Sequence, residues 1–141
     1  MWHTHLLNLE NGVSLGGSSW NVSDSVLNVS RGLYGTSLLP ITLSFYNTLI
    51  YCFDNTAINL ESTNVTLQLR ESTISNQQYS SVNIRSSDLI TMNARGTSFL
   101  STIQLNSESR VVANISHCQV KDSFNVYSYM TVSDSFQTEA I

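Results

Sequence analysis

Ile103-Gln104-Leu105-Asn106-Ser107-Glu108-Ser109-Arg110-Val111-Val112-Ala113-Asn114-Ile115-Ser116-His117-Cys118-Gln119-Val120 contains the whole plan of this chain in one pass. Apolar residues fall two apart at Ile103 and Leu105, again at Val111, Ala113 and Ile115, and once more at Val120. Spacing by two places side chains on one face of a strand, so the stretch reads as a short strand, a longer strand and a single anchor. No helical period competes with it. Along the chain, the segments between such strands are dense in Ser, Asn, Asp and Gly, the residues that turn corners.

Working outward, the same pattern recurs six times at a period of roughly twenty-one to twenty-five residues. The first strand aligns Val13, Tyr34, Ile58, Val82, Ile103 and Phe124, followed two residues on by Leu15, Thr36, Leu60, Ile84, Leu105 and Val126. The second strand aligns Trp20, Ile41, Val65, Ile90, Val111 and Val132, and the anchor column is Val29, Ile50, Ile74, Phe99, Val120 and Ile141. Units that cannot bury an apolar face alone do so by stacking. The expected fold is therefore all-β: a single-stranded parallel β-helix, or β-solenoid, of about six three-strand coils. At ~4.8 Å per rung the rod is about 29 Å long, and right-handed winding is expected of parallel connections. Residues 1–12 are read as an N-terminal edge or cap, and 13–141 as the solenoid domain.

Polar columns support the register. Ser62, Ser86, Ser107 and Ser128 continue the inward parity of the first strand, with Leu38 and Gly17 in the earlier coils, while Asn59, Asn83, Gln104 and Asn125 form an outward amide row. Inward hydroxyls can satisfy corner backbone groups, and amides at the rung spacing can ladder. Thr42, Thr66 and Thr91 make a further outward row, flanked by Ser44, Gln68 and Asn93, which ends at Val112.

Composition narrows the function classes. Ser, Thr and Asn number 24, 13 and 14, against 11% charged residues, so the surface is hydroxyl and amide rather than ionic. A net charge of −4 lacks the basic stripe that nucleic-acid backbones require, and it offers no attraction to anionic lipid. No apolar run is long enough to insert in a membrane, and Met1-Trp2-His3-Thr4-His5 does not open as a signal peptide. The chain is thus expected either not to use that export route or to be a piece of a longer exported protein. Cys52 and Cys118 fall in different columns three coils apart, ~14 Å by rung spacing and beyond disulfide reach, so both are expected to be free. His3 and His5 share a strand face without a third ligand, and neither a metal nor a cofactor is expected. Four Asn-x-Ser/Thr sequons, at Asn21, Asn28, Asn64 and Asn114, are what such a composition produces by chance.

The stretch Asn11-Gly12-Val13-Ser14-Leu15-Gly16-Gly17-Ser18-Ser19-Trp20-Asn21-Val22-Ser23-Asp24-Ser25 resembles a passenger-domain coil of bacterial autotransporters. The remainder is similar to right-handed β-helix proteins, including the pectin-lyase-like and phage tailspike groups. That resemblance implies an extended scaffold at the cell surface or outside the cell, used for adhesion, self-association or glycan contact.

Candidate sites follow from position. The link from anchor to first strand takes four residues at Phe99 to Ile103, but eight after Ile50 and after Ile74. Both insertions emerge at one corner on adjacent coils, carrying Tyr51, Phe53, Asp54 and Asn55 in one and Gln77, Gln78 and Tyr79 in the other. Rings beside amides on a rigid scaffold suit a glycan or a protein surface. Phe53 and Tyr79 could instead tuck inward and cover the corner. Arg70 and Arg95 share a column and could clamp an anionic sugar. Asp88 and Glu108 lie on neighbouring coils near enough to be weak candidates for a retaining glycosidase pair. The leading expectation is a non-enzymatic adhesive or structural module. The alternatives are a carbohydrate-active β-helix enzyme, either hydrolase or lyase, and an ice-binding face. The last coil, with Asp134 in an inward column and Tyr127, Tyr129 and Met130 exposed, is expected to have its edge covered by a second copy end to end, by further sequence of a longer chain, or by a partner.

Overall fold

The computed structural model describes the backbone of Trp2–His3, Leu7–Leu9 and Val13–Ser14, and all atoms of residues 19–76 and 78–128. It is an all-β parallel solenoid of about 5 turns, with no helix among the described residues. The strands are β1 (Trp2–His3), β2 (Leu7–Leu9), β3 (Val13–Ser14), β4 (Ser19–Ser23), β5 (Val26–Val29), β6 (Leu33–Ser37), β7 (Ile41–Tyr46) and β8 (Leu49–Cys52). They continue as β9 (Ile58–Arg70), β10 (Thr73–Asn76), β11 (Val82–Arg95), β12 (Ser98–Phe99), β13 (Ile103–Ser107), β14 (Arg110–Ser116), β15 (Gln119–Val120) and β16 (Phe124–Ser128). Each pairs in parallel with its equivalent in the next coil. The first and second strands of every coil build one 10-stranded sheet, and the third strands build a 6-stranded sheet ordered β15-β12-β10-β8-β5-β2.

Period-two alternation is visible directly in burial. In β9, inward Ile58, Leu60, Val65, Leu67 and Leu69 are buried, while Asn59, Glu61, Gln68 and Arg70 face solvent. Both β9 and β11 run unbroken through the first corner. β11 crosses it with a register shift between Ser86 and Leu89, where Ser87 and Asp88 stand against Thr63 alone. One extra residue on one strand is a β-bulge, which sharpens the bend there.

From Ile41 to Val126 the pairing matches the columns read from sequence: Ile41, Val65, Ile90 and Val111 stack, as do Ile50, Ile74, Phe99 and Val120. The two earliest coils are corrected. Leu33, not Tyr34, pairs with Ile58, so Leu33 is buried and Tyr34 is 41% exposed. A one-residue slip moves every side chain to the other face, and Gly35, with no side chain to betray its inward position, hid this one. In the coil before, Trp20 pairs with Leu43 and Leu27 with Ile50, a slip of two residues that leaves the faces unchanged. The serine row then gains Ser37 in place of Leu38, and Leu38 is 89% exposed. The positions assigned to the last coil beyond Ser128, among them Val132, Asp134, Phe136 and Ile141, lie outside the described residues.

Two hydrogen-bonded rows turn the corners. At the first corner the inward serines donate to backbone carbonyls of the preceding coil: Ser62 to Leu39 at 2.6 Å, Ser107 to Asp88 at 2.6 Å and Ser128 to Ser109 at 2.6 Å. Their oxygens also accept from the turn just ahead, from Asp88 N to Ser86 and from Ser109 N to Ser107, both at 3.1 Å. The second corner carries a row not seen in the sequence. Asp24, Asn47, Glu71, Gly96 and His117 all hold positive φ, between 46° and 59°. The residue after each one, Ser25, Thr48, Ser72, Thr97 and Cys118, donates back across it to the carbonyl two residues earlier, at 2.7, 2.9, 2.9, 3.2 and 3.3 Å. Cys118 therefore serves as a hydroxyl substitute, which explains a buried thiol at this point of the repeat.

Candidate binding surfaces

The insertion corner begins as strand. β8 extends to Cys52 and β10 to Asn76, and the two pair in register, so the first part of each insertion belongs to the 6-stranded sheet. Cys52 and Asn76 are buried and act as braces. The Asn76 amide donates to the Asn55 carbonyl, and its Oδ1 accepts from Gln78 N at 3.1 Å and Tyr79 N at 3.0 Å. The Cys52 thiol reaches the Asn55 carbonyl at 3.1 Å, and Asp54 N donates to Ser30 O at 3.0 Å. One buried amide thus ties both insertions together. Burial pushes the Cys52 thiol above its ordinary value of 9.0, as it does Cys118, so both stay protonated near neutral pH.

The rings do not tuck inward. Phe53 is 56% exposed and Tyr79 47% exposed, while Tyr51 is half-buried with its ring 4.8 Å from that of Phe53, tilted by 57°. Asp54, Asn55 and Gln78 surround them, all exposed, and Gln77 lies outside the described residues. Five of the seven residues expected here, Phe53, Asp54, Asn55, Gln78 and Tyr79, therefore present side chains to solvent on a hydrogen-bonded platform.

Two grooves run along the rod on the outer face of the larger sheet. The wider, about 1110 Å³, follows the first corner and is lined by Leu38, Glu61, Arg85, Asn106, Glu108 and Tyr127 among others. Glu61 pairs with Arg85 in register, so opposite charges lie on adjacent rungs of its floor. Glu108 lines this groove but Asp88 does not, and both carboxylates are exposed.

The second groove, about 640 Å³, follows the end of the second strand. Tyr46, Arg70 and Arg95 stack on successive rungs, with the Arg70 guanidinium 5.7 Å from the centre of the Tyr46 ring. Two residues back along each strand, Asn21, Ser44, Gln68, Asn93 and Asn114 form a polar row in the same groove. It is laddered by Ser44 to Gln68 at 3.3 Å and Asn114 to Asn93 at 3.0 Å. Sequence spacing anticipated the Arg70–Arg95 column, but not the ring beneath Arg70, because the contact needs the rung geometry. The threonine row is also in register from Thr42 through Thr66 to Thr91, meeting Val112 at one end and Ser19 at the other. No group of three metal-ligating side chains occurs among the described residues.

Compared with family models, curated proteins and solved structures, the chain has no match in any of the three.

Proposed function

We propose that this chain is a non-enzymatic β-solenoid module that contacts a glycan or protein surface through its insertion corner, displayed outside the cell or at its surface. One observation carries the reading: Phe53 and Tyr79 stand exposed on a platform that Asn76 and Cys52 hold rigid from below. Exposed rings cost free energy in water, and a braced corner loses little conformational entropy when a ligand covers it. Flat rings flanked by amides suit the apolar face and the hydroxyl edges of a sugar, and this is the occupant we favour. The adhesive role implied by the likeness to autotransporter passenger coils accords with such a module.

A glycan array of the intact chain tests the reading, alongside the Phe53→Ser/Tyr79→Ser double variant. Binding that disappears in the variant while the melting temperature holds supports it. Binding unchanged by the variant refutes it. An ice-binding role rests on the three-rung threonine row alone, and thermal hysteresis with ice shaping at high concentration would be its signature.

A further inference from the structure

We infer that the groove at the end of the second strand is a second site, for an anionic glycan: a hydroxylated chain bearing carboxylate or sulfate groups, gripped by Arg70 and Arg95. Two guanidinium groups sit on neighbouring rungs, about 4.8 Å apart at the backbone, where like charges repel. Among the described residues neither is in an ion pair, and the nearby Glu71 carboxylate is turned over Gly96, its oxygens 2.6 and 2.7 Å from where a Cβ would stand. The Tyr46 ring holds the Arg70 guanidinium in place, which keeps its donor fork available to an anion.

The rest of the groove says what kind of anion. Beside the arginines runs an amide and hydroxyl row, in which Gln68 and Asn93 use their oxygens to accept the ladder bonds and retain both amide N–H donors. Donors in a line next to two cations suit a polymer that is mostly hydroxyl and carries sparse charge. A nucleic acid presents one phosphate per residue and needs a longer basic stripe than two arginines on a chain of net charge −4. Guanidinium forks accept carboxylate and sulfate alike, so the shared chemistry is the oxyanion on a sugar chain.

The test uses the full chain and one polymer backbone: dextran, carboxymethyl-dextran and dextran sulfate of equal length, with oligo-dT as the nucleic-acid arm. At least one charged dextran is expected to bind ten-fold or more tightly than neutral dextran, weakening as salt rises, and the two charged arms tell carboxylate from sulfate. Arg70→Gln/Arg95→Gln should reduce that affinity to the neutral level without lowering the melting temperature, since both side chains are exposed. Arg85→Gln/Arg110→Gln should leave it unchanged, as should Phe53→Ser, so this site and the insertion corner stand or fall separately. Any of four results overturns the inference: no binding of either charged dextran, equal binding of neutral dextran, retention in the Arg70/Arg95 variant, or oligo-dT binding as tight as the charged dextrans.

Discussion

Ser72 shows how a single hydroxyl supports this fold. It donates to the Arg70 carbonyl at 2.9 Å, accepts from Thr48 N at 3.2 Å, and is buried. Ser72→Ala leaves the buried Thr48 N–H without its acceptor, while the Arg70 carbonyl keeps its bond from Asn47 N, at a cost of ~1–3 kcal/mol that a denaturant titration would register. Cys118→Ser should do the reverse, because oxygen meets the Ser116 carbonyl with a stronger hydrogen bond than sulfur does. Stability equal to or above that of the native chain is expected. The two thiols also set an alkaline limit. Their folded values are raised by burial while unfolded thiols ionise near 9.0, so their contribution is complete below that pH and is lost as pH rises above it. Unfolding midpoints of the native chain and Cys118→Ser should therefore diverge above pH 9.0, with the variant declining less. Glu71, at φ 49° in a row that otherwise holds Asp, Asn, Gly and His, occupies a conformation disfavoured for a long side chain. Glu71→Asn should raise the melting temperature, with a gain of about 1 kcal/mol at most.

At the scale of the strand, register decides which substitutions are lethal. Ile103 and Val111 are buried between coils that support each other, and an aspartate at either places an unpaired charge in the core. The cost is several kcal/mol against a total stability of roughly 5–15 kcal/mol, so Ile103→Asp and Val111→Asp should be unfolded by circular dichroism. Leu33 and Tyr34 provide the sharper contrast: Leu33→Lys should unfold the chain, whereas Tyr34→Lys should melt within a few degrees of the native protein. Equal effects from the two would refute the pairing of β6 with β9. Strands β8 and β10 also limit how the insertion corner can be shortened. Because Cys52 and Asn76 are buried braces, cutting either insertion back to its strand anchor removes support, and point changes at Phe53 and Tyr79 test recognition without that damage.

For the molecule as a whole, stability passes only between neighbouring coils. Coils with partners on both sides should open last. Amide exchange is expected to be slowest in Val65 to Leu69 of β9 and Ile90 to Ala94 of β11, and fastest in β16, whose Phe124 and Val126 are only partly buried. Uniform protection from β6 to β16 would show instead that the rod opens as one unit.

What the sequence determined alone was the solenoid itself, because a period-two apolar pattern recurring about every two dozen residues can bury itself only by parallel stacking. Inward Ile, Leu and Val announced their positions in the later coils, and the free thiols followed from column arithmetic. Gly35 has no side chain to mark its inward position, so it concealed the register of the second coil and put Leu38 in the column that Ser37 occupies. The left-handed corner row was equally silent, since Asp24, Asn47, Glu71, Gly96 and His117 share a backbone conformation and no side-chain chemistry. Which rings are exposed, and which arginine lies on a tyrosine, were decided only in three dimensions. Partners in this fold are twenty or more residues apart in the chain, and only the rung spacing brings their side chains into reach.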